Sequence, residues 1–333
     1  MKYLITGNLG YIGPVLSKFL KDNDNNCFII GYDNGFFLNC EIASELKNNA
    51  PTIDIQVYGD VRDKVKISQY IKQADCIIHL AAISNDPMGQ EFEKVTKEIN
   101  EDSSVYIAEQ AIENNCKSFI FASSCSVYGA GSDKPRNEFD DLNPLTAYAR
   151  SKIGTENKLK SISNYRDTKL TCLRFATACG YSSNLRLDLV LNDFVATALN
   201  SGRINILSDG EPWRPLIDVE DMSRAMFWAC HRDKGEDLEI INIGSDKWNY
   251  KIKELAESVK NIIPQEISLE INENAPPDKR SYRVSFAKYY SLAPSNLTPK
   301  ISLEDSVKRL VEGINPYSGR MSSEGREHLI RLK

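Results

Sequence analysis

Residues 2–14 read Lys2-Tyr3-Leu4-Ile5-Thr6-Gly7-Asn8-Leu9-Gly10-Tyr11-Ile12-Gly13-Pro14, and this stretch decides the fold. The nearly continuous apolar run Lys2–Thr6 predicts a strand buried on both faces, and the amphipathic pattern over 14–22 predicts a helix. Three glycines between them let the backbone turn tightly and approach a pyrophosphate at the helix N-terminus. Pro14 suits the first helical turn, where its missing N–H costs nothing. The spacing is G-x-x-G-x-x-G rather than the G-x-G-x-x-G of many dehydrogenases. A glycine triplet also serves a plain turn, so the surrounding sequence must decide.

Outward from this stretch, short apolar runs alternate with helical patterns. Strands are predicted at Lys2–Thr6, Cys27–Tyr32, Ile53–Tyr58, Cys76–Leu80, Ser118–Ala122 and Leu170–Phe175. Helices are predicted around 14–22, 41–48, 64–73, 90–115 and 145–163. This β-α-β-α rhythm implies a parallel, doubly wound α/β sheet with right-handed crossovers. After residue 180 the rhythm changes to a helix at 188–201, a strand at Ile204–Leu207, a turn at Asp209-Gly210, a strand at Pro215–Asp218, a helix at 220–231 and a strand at Glu239–Ile243. The predicted division is a main domain over 1–180, with return segments near 216–243, and a smaller α/β domain drawn mainly from 181–333. Pro276-Pro277 and Pro294 mark loops, and Gly319–Lys333 reads as a polar tail.

Composition bounds the function. The 333 residues carry a net charge of −5, with 41% hydrophobic and 26% charged residues, the profile of a globular protein with a large core. Mild acidity disfavours a nucleic-acid partner, which needs a basic surface. The eight cysteines include no C-x-x-C pair and the chain has three histidines, which weakens any metal site. Several cysteines sit in apolar runs and read as buried free thiols of a reducing compartment. No signal-like segment and no run of about 18 apolar residues occurs, so a cytoplasmic protein without a membrane partner is expected.

The site candidates follow the strands. Asp33 closes the second strand 20 residues past Gly13, where a carboxylate can accept the adenosine ribose hydroxyls and would repel a 2′-phosphate, favouring NAD over NADP. The alternative reading is a strand-end turn residue. Asp60 ends the third strand and could face an adenine. His79, before Leu80-Ala81-Ala82, reads as a hydrogen-bonded structural histidine. In Tyr148-Ala149-Arg150-Ser151-Lys152 the phenol and the ammonium share one helix face; a nearby cation favours phenolate and makes tyrosine a usable acid/base. A bare Y-x-x-x-K is common, but here it follows Ser123-Ser124-Cys125-Ser126-Val127-Tyr128-Gly129 just past the fifth strand.

The ordered set Thr6-Gly7-x-x-Gly10-x-x-Gly13, Asp33, Asp60-Val61, His79-Leu80-Ala81-Ala82, Asn100, Ser123-Ser124, Tyr128-Gly129, Tyr148-x-x-x-Lys152 and Leu173-Arg174 resembles the extended short-chain dehydrogenase/reductases, specifically the NAD-dependent epimerase/dehydratase family acting on nucleotide sugars. The resemblance runs from residue 1 to about 310. It implies a Rossmann domain with a nucleotide-sugar-binding domain, and NAD held by Gly7, Gly10, Tyr11, Ile12, Gly13, Asp33, Asn34, Asp60, Val61, Leu80, Ala81, Ala82, Asn100, Tyr148 and Lys152. It implies catalysis by Ser124, Tyr148 as general base and Lys152, and a nucleotide-diphosphate sugar met by Ser124, Ser126, Tyr148, Asn192, Arg214 and Arg280. Relatives pair subunits through the helices corresponding to 90–115 and 145–163, implying a homodimer in which an exposed apolar stripe would show.

Departures narrow the chemistry. Cys125 and Ser126 stand where 4,6-dehydratases of this family carry Asp-Glu, which disfavours carboxylate-driven elimination. Cys125 is one residue from the place of a catalytic cysteine in 3,5-epimerases, so it reads as a proton carrier or as a packed thiol, and Cys179 likewise. Asp218 stands where the family's R-x-x-I-H-V run has histidine. The leading expectation is an NAD-dependent nucleotide-sugar epimerase/oxidoreductase that oxidises C4 and works through a 4-keto sugar. The rivals are a 4-dehydrogenase or 4-reductase that releases its product, a 3/5-epimerase or dehydratase using Cys125, and a non-catalytic NAD-binding sensor.

Overall fold

The computed structural model describes residues 1–36, 52–84, 89, 91–130, 134–233, 236–272 and 280–315. The predicted helix at 41–48, Pro276-Pro277 and the tail from Gly319 lie outside the described residues. Seven parallel strands form one sheet in the order β10-β6-β5-β4-β1-β2-β3. They are β1 Lys2–Thr6, β2 Phe28–Asp33, β3 Ile55–Tyr58, β4 Cys76–His79, β5 Ser118–Ser124, β6 Lys169–Phe175 and β10 Leu238–Ile243. Tyr3 and Ile5 of β1 enter one apolar layer and Leu4 the other, so the strand is buried on both faces. Helices α1 (Gly13–Asn23) and α7 (Val219–His231) cover the first layer. Helices α2 (Lys64–Ile71), α4 (Ser103–Glu113) and α5 (Ala147–Lys160) cover the second.

The strand order reverses between β1 and β4, which makes the crevice beyond their C-terminal ends the switch point of the fold. Helix α1 starts at Gly13 with Pro14 in its first turn and buries Leu16, Phe19 and Leu20 at helical spacing. The single helix predicted over 90–115 is instead α3 (Glu93–Lys97), a π turn at Glu98–Asp102 and α4. The widened turn at Asn100 frees its carbonyl, which accepts the hydroxyls of Ser104 (2.6 Å) and Thr155 (3.1 Å).

The smaller lobe has a three-stranded sheet, β11-β9-β7 (β7 Thr177–Cys179, β9 Trp213–Asp218, β11 Asn249–Lys251), and a parallel pair, β8 (Arg203–Ile206) with β12 (Ser268–Ile271). Its core joins α6 (Val190–Ser201), α8 (Ile252–Ile262) and α10 (Leu303–Ile314) through Leu191, Val195, Leu255, Val259, Val307 and Leu310. Burying aliphatic side chains of this kind stabilises by roughly 1.5–3 kcal/mol each. A capping box starts α10, with the Ser302 hydroxyl accepting from Asp305 N–H and the Asp305 carboxylate accepting from Ser302 N–H. The short helix α9 (Ala287–Leu292) lies between α8 and α10 in the chain. The sequence pattern did not separate β7, β11, β12 or these last helices; the strands are only three or four residues long.

Candidate functional site

Backbone sterics build the cofactor side. Gly7 has φ +74°, and a Cβ there would stand 2.6 Å from Ala81 N, so only glycine lets β1 and β4 close together. At Gly10 a Cβ would approach only Gly7 O, at 3.3 Å; the outer side of the turn is open and would be filled by any side chain. The Gly10 N–H donates to Gly7 O (3.1 Å). Asp33, at the end of β2, accepts Leu9 N–H (3.1 Å) and Gly35 N–H (2.9 Å), and burial raises its carboxyl above the ordinary range. Asn34 accepts Phe36 N–H. A glycine turn open at the mouth of α1 and a carboxylate held beside it fit a dinucleotide. Among the described residues no group of three or more metal-ligating side chains occurs, and no helix is long and apolar enough to cross a membrane.

The residues expected to be catalytic lie where β5 and α5 meet. Ser124 ends β5 and accepts Ser126 N–H on its Oγ (3.1 Å). The buried Ser126 Oγ has no hydrogen-bond partner, a state that a polar ligand would relieve. Thr146 caps α5 by accepting Ala149 N–H, and one turn brings Tyr148 and Lys152 together, with the Lys152 Nζ 5.3 Å from the Tyr148 ring centroid and 4.5 Å from that of Phe121. Burial lowers the Lys152 pKa to about 7, with Cys172 and Glu156 opposing.

His79 is structural, as read. It bonds Thr6 Oγ1 (2.6 Å) and Ser104 Oγ (2.8 Å), stacks near Phe119 and Phe121, and burial holds its pKa down to about 3.

Other expected residues are placed differently. Asn100 is buried as a brace, exchanging hydrogen bonds with both the N–H and the C=O of Ile83 and donating to Ser151. The Asp60 carboxylate is forked by Arg62 (3.0 and 2.7 Å) rather than left open toward an adenine, and that pairing lowers its pKa. Val61 packs in the core. Leu80 N–H bonds Thr6 O, and Ala81 N–H bonds Thr6 Oγ1 at 3.4 Å. Ile12 packs against the core, while the Tyr11 hydroxyl leaves the cofactor side and donates to Gly180 O (2.6 Å).

Asn192 is fully buried. Its Oδ1 accepts Gly180 N–H, and its Nδ2 serves Tyr11 Oη and Arg186 O. A substrate diphosphate could take its amide protons only by opening one of these bonds. Arg214 donates to its neighbour's Trp213 O and lies 6.0 Å from the Tyr282 ring, and Arg280 is exposed at the edge of the described residues.

Cys125 lies in the interior. Its thiol is buried, donates to Arg174 O (3.1 Å), and burial raises its pKa far above the ordinary range. Cys179 is likewise buried against Ile217 O (3.3 Å). Burial favours the neutral thiol at both positions, which disfavours either as a proton carrier. All seven described cysteines are free and buried.

Among the described residues, the helix faces expected to carry an apolar stripe for subunit pairing are interrupted by charge. The outer sides of α3, the π turn and α5 carry ion pairs between Arg150 and Glu93 (2.7 Å) and from Lys158 to Glu101 and Asp102. Val95 and Ile99 are partly buried, so residues that looked like a stripe in the sequence belong partly to the interior.

Three features escaped the sequence. Arg186, in the loop after β7, forks Asp188 and reaches across the crevice to Ser84 Oγ (2.9 Å). A buried network behind Ser124 links Ser123 Oγ to Glu156 (2.6 Å), Glu156 to Arg174 (3.0 and 2.7 Å) and Arg174 to Tyr128 Oη (3.0 Å). Asp218 caps α7 through Glu220 N–H and accepts Ser306 Oγ (2.7 Å) from α10, tying β9 to both helices. The spacing Tyr148, Lys152, Glu156 placed Glu156 on the catalytic face of α5, which was the one local signal for the network.

Hydride exchange with a bound dinucleotide is what a tyrosine and lysine at the end of the fifth strand can serve, and the chain is accordingly an extended short-chain dehydrogenase/reductase. It belongs to the NAD dependent epimerase/dehydratase family, whose model matches residues 3–244, and it is an enzyme that uses NAD. A putative UDP-glucose 4-epimerase of Methanocaldococcus jannaschii is 28% identical over 318 residues, covering 92% of this chain and 96% of that one. The UDP-N-acetylglucosamine 4-epimerase of Methanobrevibacter ruminantium, solved with UDP-N-acetylmuramic acid, superposes with a TM-score of 0.81 at 23% identity, covering 96% of this chain and 99% of that one. The UDP-glucuronic acid 4-epimerase of Bacillus cereus, solved with UDP-glucuronic acid and NAD, gives 0.79 at 22% identity, covering 95% and 99%.

Proposed function

We propose that this enzyme inverts C4 of a nucleotide-diphosphate sugar through a 4-keto intermediate. The reading is supported by Ser124 at the end of β5 and by Tyr148 and Lys152 one turn apart on α5, with the Lys152 Nζ 5.3 Å from the Tyr148 ring centroid. Tyr148 takes the proton of the C4 hydroxyl, Ser124 orients that hydroxyl, and Lys152 in its protonated form favours the phenolate. Bound NAD would supply the two-electron acceptor for C4 and the hydride that restores it. Return of the proton from Tyr148 completes the inversion. The unpartnered Ser126 hydroxyl would hold a sugar oxygen, and Arg214 and Arg280 would grip the diphosphate with planar, multidentate hydrogen bonds.

The burial of Cys125 and Cys179 supports C4 chemistry over the 3/5-epimerase alternative. A homodimer through α3, α4 and α5, as the resemblance implies, would be a polar contact because those faces are charged. The test is a panel of nucleotide sugars, followed by sugar NMR and by absorbance of reduced nicotinamide, with wild type and Tyr148→Phe. Inversion at C4 by wild type, and its loss in the variant, is expected. No turnover by wild type, or unchanged turnover in Tyr148→Phe, overturns the assignment.

A further inference from the structure

Three consecutive carbonyls of the glycine turn are gripped by the smaller lobe. Asn184 Nδ2 donates to Leu9 O (2.5 Å) and to Gly10 O (3.4 Å). Ser182 Oγ, itself buried, donates to Tyr11 O (2.6 Å) and accepts Asn184 N–H (3.3 Å). The partners lie more than 170 residues apart in sequence, so the bonds join the cofactor's turn to the loop that follows β7.

A trans peptide points its C=O and its N–H in opposite directions. Drawing the Gly10 and Tyr11 carbonyls toward the smaller lobe therefore turns the Tyr11 and Ile12 N–H groups the other way, about the mouth of α1, where a pyrophosphate is held. We propose that Ser182 and Asn184 are positioning residues for the cofactor: from the substrate lobe they hold the turn in its phosphate-binding pose, so that NAD escapes only when the 182–184 segment lifts. The inference uses the bound dinucleotide and is independent of which sugar carbon reacts.

The holoenzyme is loaded with NADH and mixed with excess NAD, and loss of bound-NADH fluorescence gives the release rate. Asn184→Ala and Ser182→Ala should each release NADH about tenfold faster, the factor that losing a modest hydrogen bond supplies. Asn184→Asp keeps the shape but sets a carboxylate against two carbonyls, and should release at least as fast as Asn184→Ala. KM for NAD should rise in all three with kcat little changed. Ser201→Ala, an α6 surface change whose hydroxyl bonds only Thr197 O, should release at the wild-type rate. Wild-type release from a normally melting Asn184→Asp or Ser182→Ala overturns the proposal, and if the Asn184 variants do not fold, Ser182→Ala decides alone.

Discussion

Glu156→Gln tests how the catalytic helix is held. The Glu156 carboxylate accepts Ser123 Oγ (2.6 Å) and Arg174 Nε (3.0 Å) on one oxygen and Arg174 Nη2 (2.7 Å) on the other. Side chains 156 and 174 are 1% and 2% exposed. Glutamine keeps the shape but sets its NH2 group against the guanidinium and leaves a buried cation without a counter-charge. Breaking such a pair costs about 3–5 kcal/mol, and urea unfolding should shift by about 1 M or more. Glu156 also raises the Lys152 pKa. Its neutralisation lets the lysine lose its proton at lower pH, and the alkaline fall in turnover should move the same way. Urea melts and a pH–rate profile read the two effects. The double variant Glu156→Leu/Arg174→Met should recover most of the stability, because two apolar groups leave no orphaned charge. A Glu156→Gln protein within 1 kcal/mol of wild type with an unmoved profile would refute the reasoning.

Lys152→Met should abolish turnover yet raise the melting temperature. The folded lysine titrates near 7 against about 10.5 unfolded, so the wild type loses stability as pH falls through that window; the gain in melting temperature should be larger at pH 6 than at pH 9. His79, at about 3 folded against 6.5 unfolded, likewise withdraws up to about 1.4 kcal/mol per pH unit as acidity increases between those values. His79→Gln should flatten the acid limb of a stability–pH curve. Cys125→Ser should leave turnover within about twofold, because the thiol only packs against Arg174 O; a loss of a hundredfold or more would restore the cysteine as a proton carrier. If the charged faces of α3 and α5 pair subunits, light scattering should show dissociation as salt is raised from 0.05 to about 1 M, where screening shortens to about 3 Å.

The parts of the site that could be read from sequence are local. The glycine turn is a run between one strand and one helix, and Tyr148 and Lys152 are one helical turn apart, so strand alternation and helix geometry suffice. Asp33 was legible because it closes a strand. The remainder depends on which distant segments meet. Nothing around Asp218 announces a partner 88 residues away in Ser306. Nothing in the 180–188 loop says that Arg186 meets Ser84, 102 residues earlier. Asn192 and Asn100 stood out only through the resemblance, as substrate and cofactor contacts, and their bonds to Gly180, Arg186, Tyr11, Ile83 and Ser151 depend on segments the local sequence does not announce. Cys125 was misleading for the same reason: it opens the tight 3-10 turn Cys125–Tyr128 that follows β5, and that turn, which the sequence does not announce, sets its thiol in the core against Arg174 O.

The central claim is reaction at C4 without proton exchange at its neighbours. The direct measurement is a turnover in D2O with a UDP-sugar deuterated at C4, read by NMR. The account predicts that the label stays at C4 in the inverted product, that no solvent deuterium enters C3 or C5, and that Tyr148→Phe gives no product. Solvent deuterium at C3 or C5, or loss of the C4 label to solvent, would contradict it.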